Sequence, residues 1–478
     1  MAYSEFYCDA ANGSNLNAGY PIGGSYPVTS TNGAYSRATG AGGTDQFIAA
    51  SGTPFSGCAV EDCVSIFADA ASAPTGFIGR VTAVNGGGAS LDISLTAIYG
   101  TRPATAASGI TAKVGGPFKG PNATSSFPSD LDKALANVAG DTLRVNFKNN
   151  ADYVMTVGNV AIARSMAGPI IFQGYTTTPG DLGKAILRTP GTGTSANLCN
   201  VTGVLGVMFV DLIAKDNGDA GTGNGFSNTS ASTTYIRCVA TNIRGHGFNI
   251  ASGRAIECEA YGCNTSNTAN GVGFLVTTGV ARRCISHDNT GSNSSGFSVA
   301  GGAIIDCVAE TNTAKGILVS VNSSIVNCDL YNNGSDGIDL TNPSTSTIEI
   351  ENCNFIKNGG YGIKGSGAGN RNGLIVNCGF GSGTQANNSG NTTGLKGIQA
   401  IGSITYAADV TPWNAPTTGD FTLALAAAKG TGRGSFTQTQ TSYTGTLSYP
   451  NVGSSSPAIP LGTAGGIITS GGLTGIVG

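Results

Sequence analysis

The sequence predicts an all-β solenoid, and three observations carry the prediction. First, between Tyr235 and Ala400 a short pattern returns about every 20 to 26 residues, the spacing of stacked repeats. Its cysteine half reads Ile236-Arg237-Cys238, Ile256-Glu257-Cys258, Arg282-Arg283-Cys284, Ile305-Asp306-Cys307, Val326-Asn327-Cys328, Glu351-Asn352-Cys353 and Val376-Asn377-Cys378. Its glycine half reads Gly247-Phe248, Gly273-Phe274, Gly296-Phe297, Gly316-Ile317, Gly337-Ile338, Gly362-Ile363 and Gly397-Ile398. Second, each period holds two or three short apolar runs, separated by a small polar turn ending in asparagine, and no helical stretch. Third, strand alternation assigns each repeated position to a face, in ladders stacked at about 4.8 Å. One parity carries Ile236, Cys238 and Ala240, and likewise Ile305, Cys307 and Ala309, Val326, Cys328 and Leu330, and Val376, Cys378 and Phe380; this parity is expected to face the core. The other carries Arg237, Glu257, Arg283, Asp306, Asn327, Asn352 and Asn377, an outward ladder whose first four members alternate in sign. Opposite charges on neighbouring rungs add about 0.2–1 kcal/mol per pair.

The elements follow in chain order. Residues 1–125 differ from the repeats: Phe77 to Ala83 and Leu91 to Ala97 are strand-like runs joined by Asn85-Gly86-Gly87-Gly88, a hairpin signal. A small β-rich, barrel-like attachment domain is expected there. At the start of residues 126–410, Ser129-Asp130-Leu131-Asp132 resembles a capping box, Leu131, Leu135 and Val138 keep helical spacing, and Gly140 stops the run. This predicts an N-terminal capping helix over the open end of the first coil, where an unpaired strand edge needs cover. Leu143, Val145 and Phe147 then alternate as a strand, and further coils follow through Pro169 to Tyr175 and Val207 to Asn217. In the coil before the repeats, Phe209-Val210-Asp211-Leu212 aligns with Ile304-Ile305-Asp306-Cys307, which makes the cysteine a small apolar filler. The span holds on the order of twelve coils. Residues 411–478 break the period at Pro412, Trp413 and Pro416, and read as an irregular C-terminal cap with a Gly-rich tail.

The repeat pattern resembles the right-handed parallel β-helix family, the pectate-lyase-like fold of pectin-degrading enzymes, phage tailspikes and many surface proteins. The opening Phe6-Tyr7-Cys8-Asp9-Ala10-Ala11-Asn12-Gly13-Ser14 resembles the leading segment of β-helix surface and phage proteins. The resemblance implies the fold strongly and function weakly, because this solenoid hosts lyases, hydrolases and inert stalks alike.

Composition narrows the partners. Charged residues make up 11% of the chain and the net charge is −3, so there is no electrostatic reason to expect nucleic acid as a partner. Gly and Pro number 75 and 17 of 478 residues with 40% apolar content, which suits a folded chain of tight turns. Neither a signal peptide nor a membrane-spanning run is read in the sequence. Twelve cysteines without a leader argue against a disulfide framework. Cys58 and Cys63 lack a second Cys/His pair nearby, so neither a metal site nor a cofactor is expected.

The search for chemistry starts at Gly245-His246-Gly247 and Asn333-Gly334-Ser335-Asp336-Gly337-Ile338-Asp339, which resemble polygalacturonase motifs. Their order is reversed relative to that family, and the paired Asp-Asp and Arg-Ile-Lys motifs are missing. His246 and Asp336 therefore read as polar neighbours of turn glycines. A second set lies three places after each cysteine, on the outward face: Thr241, Tyr261, His287, Glu310, Tyr331 and Ile356, with Glu259 and Asp329 in the neighbouring column. Tyr261, His287, Glu310 and Tyr331 are candidate glycan contacts, since sugar rings stack on aromatics while hydroxyls bond to acids. Glu310, Asp329 and His287 are the candidate catalytic groups, because glycosidases need two carboxyls about 5 to 9.5 Å apart. Leu275 and Leu318 sit on the outward parity of the second apolar run and are candidate oligomer contacts.

These readings favour a non-enzymatic elongated surface protein, in the setting of a phage virion as tailspike, fibre or capsid-attached spike. Its expected partners are other virion proteins through residues 1–125 or the C-terminal tail, host surface polysaccharide, and copies of itself as a homotrimer. Two alternatives stand beside it: a β-helix polysaccharide lyase or glycoside hydrolase, and a bacterial cell-surface adhesin.

Overall fold

The computed structural model describes residues 4–12, 28–60, 62–68, 77–95, 107–115, 143–154, 160–162, 169–189, 197–201, 206–216, 223–229, 233–265, 271–340, 346–365, 372–376, 378–381, 398–401, 404–405, 413–415 and 420–423. Among them the architecture is a parallel β-solenoid with a six-stranded closed barrel near its N-terminal end. Three sheets of 12, 11 and 9 strands run along the solenoid. A typical coil takes one strand from each: Thr233–Ile236, Val239–Thr241 and Phe248–Ile250, after which Gly253–Ile256 begins the next coil directly beneath Thr233–Ile236. Nine coils show all three strands and two more show two, so the solenoid has eleven described coils, close to the expected twelve. Ten steps of about 4.8 Å make a rod about 48 Å long.

The first strand of the largest sheet comes from the start of the chain, ahead of the barrel. Ser4–Asp9 pairs in parallel with Leu143–Lys148, and Tyr153 donates its hydroxyl to the Cys8 carbonyl at 2.7 Å. The leading segment, expected within residues 1–125 as part of a separate domain, is thus the first rung of the solenoid. It covers the edge of Leu143–Lys148, the role expected of a capping helix; that helix falls outside the described residues. The barrel is inserted between this first rung and the second. Its strands run in the order Val28–Ser36, Asp45–Ile48, Ser90–Ile93, Phe77–Asn85, Cys63–Ala68 and Ala107–Val114, closing on the first. The expected hairpin is present, with Gly86, Gly87 and Gly88 all at positive φ. A core of Tyr35, Phe47, Phe55, Phe77 and Leu91 fills the barrel, and its Cys63 and Ile78 belong to the solenoid's core cluster, which begins at Phe6 and Cys8. Trp413–Ala415 and Asp420–Leu423 pair antiparallel; the rest of the expected C-terminal cap lies outside the described residues.

Two corners shape each coil. At the first, Asp211, Arg237, Glu257, Arg283, Asp306, Asn327 and Asn352 all adopt φ between 52° and 57°. A left-handed residue there turns the chain from the first sheet into the second and ends the strand's alternation. The cysteines after it face inward as expected: Cys238, Cys258, Cys284, Cys307, Cys328, Cys353 and Cys378 are buried and free. The residue before the corner does not. Ile236, Ile305, Val326 and Val376, expected in the core, face outward and are only partly buried, while Tyr235, Ile304, Ile325 and Ile375 fill the core in their place. The left-handed corner residue resets the alternation, so parity does not carry through it.

At the second corner a buried asparagine ladder closes the turn. Asn312 Nδ2 donates to Asn333 Oδ1 at 2.9 Å, and Asn333 Nδ2 to Asn358 Oδ1 at 2.9 Å. The same amides donate to Ser286 O at 3.1 Å and Ala309 O at 3.0 Å. The glycine of each repeat follows, and close approach requires it. A Cβ on Gly247, Gly273, Gly316 or Gly337 would lie 2.6–2.7 Å from the carbonyl oxygen of the glycine one coil on. Next to it, Phe226, Phe248, Phe274 and Phe297 stack at 4.6–5.0 Å between centroids, with the cysteine file across the core. Each thiol bonds to backbone carbonyls: Cys238 Sγ reaches Phe209 O at 3.4 Å and Ile236 O at 3.5 Å. No helix of the described residues is long and apolar enough to cross a membrane.

Candidate functional site

The register places the predicted outward column in one file. Lys215, Thr241, Tyr261, His287, Glu310, Tyr331 and Ile356 are Cα partners on successive strands of the second sheet. Beside them run Val239, Glu259, Ile285, Val308, Asp329 and Asn354. Inward residues between the two files, such as Ala240, Ala260 and Ala309, are buried, so both files point away from the core.

Pointing outward does not leave these residues open. His287 is 7% exposed, Tyr331 3% and Asp329 0%; Tyr261, Glu259 and Glu310 are half-buried. The centre of the cluster is His287. Its Nε2 lies 2.9 Å from Glu259 Oε1 and its Nδ1 2.8 Å from Asp288 Oδ2, and its ring stacks on Tyr261 at 5.0 Å and 12°. With an acceptor at each ring nitrogen, the imidazole carries both protons. Burial pulls its pKa down, but the hydrogen bonds to Asp288 and Glu259 and the charge of Glu310 outweigh this and lift it to about 9. The imidazolium in turn holds Asp288 below its ordinary value.

Glu310 sits one rung on from His287. Burial, reinforced by Asp288 and Glu259 and opposed by His287, lifts its pKa to about 7, so it exchanges a proton near neutrality. Asp329, its proposed carboxylate partner, accepts from Asn354 Nδ2 at 2.9 Å and lies wholly within the protein. The structure therefore brings Tyr261, His287 and Glu310 together and adds Glu259 and Asp288. It sets Asp329 and Tyr331 in the same sheet but under cover. Asp288 was missed because it stands at the corner after the strand, where strand periodicity assigns no face.

The other predicted residues divide cleanly. His246 accepts the Val272 N–H at Nδ1 over 3.2 Å, and burial alone drops its pKa to about 4, so it is a neutral corner residue. Asp336, four coils away in the same file, accepts from Tyr361 N at 2.8 Å and pairs with Lys364 at 3.3 Å. Leu275 and Leu318 share a file with Asn249, Ser298, Asp339 and Lys364, and are half-buried. Of the charge ladder, Arg283 reaches Glu257 at 3.5 Å; Arg237 grips Asp211, one coil earlier at the same corner, at 2.8 Å through two nitrogens, and Asp306 pairs with Arg282 at 3.3 Å. No group of three or more His, Cys, Asp or Glu suited to a metal ion occurs among the described residues.

No protein-family model matches the sequence, and no curated protein matches it. Solved structures of similar shape include the A-module of mannuronan C-5 epimerase AlgE4 from Azotobacter vinelandii, with 14% identity, TM-score 0.41, and 60% of this chain covering 86% of that one. Pectate lyase Pel9A has 16% identity and TM-score 0.36, over 61% of this chain and 76% of its own. The Gp54 tailspike of Acinetobacter baumannii bacteriophage AP22, solved with a capsular saccharide, has 12% identity and TM-score 0.28, over 80% of this chain and 57% of its own. Likeness at this level of identity and TM-score does not choose among functions.

Proposed function

We propose that the chain is a non-enzymatic, rod-shaped surface protein, a virion component of the tailspike, fibre or capsid-spike kind, with the barrel as its attachment module. The observation that supports this reading is the state of the His287 cluster. A histidine with both nitrogens bonded to carboxylates has no lone pair to accept a substrate proton. The carboxylate that would complete a glycosidase pair, Asp329, is covered, and so is the Tyr331 ring that would stack on a sugar. Of the expected glycan contacts, Tyr261 and Glu310 remain half-buried while His287 and Tyr331 are covered. At the first corner Arg237 is paired with Asp211 and Arg283 with Glu257, which suits a stiff skin better than a reactive groove.

One observation favours a second reading, polysaccharide cleavage: Glu310, with its pKa near 7, has the property of a general acid or base. Two experiments separate the readings. Quantitative mass spectrometry of purified virions is expected to find this chain at fixed copy number; its absence from particles of the phage that encodes it would remove the virion assignment. Incubation with bacterial polysaccharides is expected to release neither reducing ends nor unsaturated uronates. Release that is lost in Glu310→Gln would establish the enzyme reading.

A further inference from the structure

The outward aliphatics form a stripe. Ile236, Ile256, Ile305, Val326 and Val376 occupy one register position on the first sheet, each half-buried, with their inward neighbours wholly in the core. Two charged residues interrupt the stripe at that position, Arg282 and Glu351. Ile305 and Val326 lie between them, so Arg282 stands one rung and a half to one side of the midpoint and Glu351 the same distance to the other. The neighbouring outward file repeats the asymmetry, with exposed Arg254 on the Arg282 side and exposed Glu349 beside Glu351. Aliphatic side chains at five of these seven rungs of a parallel sheet expose apolar area that association would remove from water.

We propose that this face is an interface with a second copy of the chain, lying antiparallel across it. The charges select both partner and direction. A two-fold axis along the strands, passing between the Ile305 and Val326 rungs, reverses rung order. It sets Ile305 over Val326, Ile256 over Val376, and Arg282 over Glu351 of the second copy, twice by symmetry. The second copy's Glu349 then falls one rung from Arg254. Copies running in the same direction would instead bring Arg282 to Arg282 and Glu351 to Glu351, at a cost in like-charge repulsion. Arg282 also contacts its own Asp306 at 3.3 Å, yet its side chain stays 48% exposed and within reach of an opposing carboxylate. Six rung spacings of about 4.8 Å and a four-residue strand of about 13 Å enclose about 370 Å² per copy, roughly half a standard interface. The pair is accordingly weak, and it carries a barrel at each end.

Sedimentation velocity on the full chain from about 10 to 500 μM is expected to show a monomer–dimer equilibrium within that range. Arg282→Glu and Glu351→Arg should each weaken dimerisation by about tenfold. The double variant should restore it, because antiparallel pairing opposes the two swapped charges. A wild-type monomer throughout the range, a trimer, single reversals without effect, or a double variant that stays as weak as the singles would each overturn the proposal. Should a charge reversal fail to fold by circular dichroism, Ile305→Lys and Val326→Lys carry the same test. Monomers are expected for both, and dimers as tight as wild type would overturn it.

Discussion

Replacing Asn333 with alanine removes one member of the asparagine ladder at the second corner, and its hydrogen bonds allow the cost to be worked out. Asn333 is 1% exposed. Its Oδ1 accepts from the backbone N–H of Asn312 at 3.2 Å and from Asn312 Nδ2 at 2.9 Å; its Nδ2 donates to Ala309 O and Asn358 Oδ1. In the variant the Asn312 N–H and the Ala309 carbonyl lose these partners. Asn312 Nδ2 keeps its bond to Ser286 O, and Asn358 Oδ1 keeps one from the Asn333 N–H at 3.2 Å. The Ala309 carbonyl keeps its ladder bond from the Tyr331 N–H, so the Asn312 N–H is the one newly orphaned buried group, and at about 1–3 kcal/mol it predicts a loss of about 2 kcal/mol. The adjacent Asn332 is exposed and left-handed at φ 51°, so Asn332→Gly should be nearly neutral. Because a solenoid loses structure coil by coil, the assay combines urea denaturation with hydrogen exchange at the Thr313 and Gly334 amides, whose carbonyl partners lie on neighbouring coils. A loss under about 1 kcal/mol for Asn333→Ala, or equal losses for both variants, would refute the account of the ladder.

Further predictions concern the charges. Glu310 titrates at about 7 in the folded chain against 4.5 ordinarily, and His287 at about 9 against 6.5. Both bind protons more tightly when folded, so their stability contribution is complete at acid pH. It falls as pH rises through about 7 for Glu310 and about 9 for His287. Thermal melts from pH 5 to 9 should show this fall, and Glu310→Gln should flatten its lower half; an unchanged profile would contradict the assignment. Arg237→Met leaves the wholly buried Asp211 carboxylate without its bidentate partner and should cost about 3 kcal/mol, recovered in part by adding Asp211→Asn. Asp181 accepts from the backbone N–H groups of Thr176, Thr177, Thr178 and Gly183, so Asp181→Ala should speed proteolysis within that loop and leave the coils intact.

The coil was legible in the sequence because its marks are chemically distinct: a cysteine that fits an inward slot and a glycine whose Cβ would strike the next coil. The column from Tyr261 to Tyr331 was legible too, since constant spacing after the cysteine survives any error about the preceding strand. What failed was parity before the first corner. Asn327 and Asn352 are common left-handed residues, but Arg237, Glu257 and Arg283 at the same position carry no such signal, and a repeat read as one strand sent Ile236 to the wrong side. The first rung was hidden for a different reason, since Ser4–Asp9 meets its partner strand only after the barrel intervenes. The burial of His287 comes from Tyr261, Glu259 and Asp288 packing on its ring, contacts between neighbouring coils and a corner that strand alternation does not encode.

The account rests on an inward file of reduced thiols within a continuous rod, and thiol labelling tests that most directly. Native protein treated with iodoacetamide and mapped by mass spectrometry should be alkylated slowly and at Cys58 alone, the half-buried one of the twelve cysteines, whose thiol pKa burial and Asp62 push up to about 11, and label the rest only after denaturation. Rapid native labelling of several positions between Cys238 and Cys378 would contradict it.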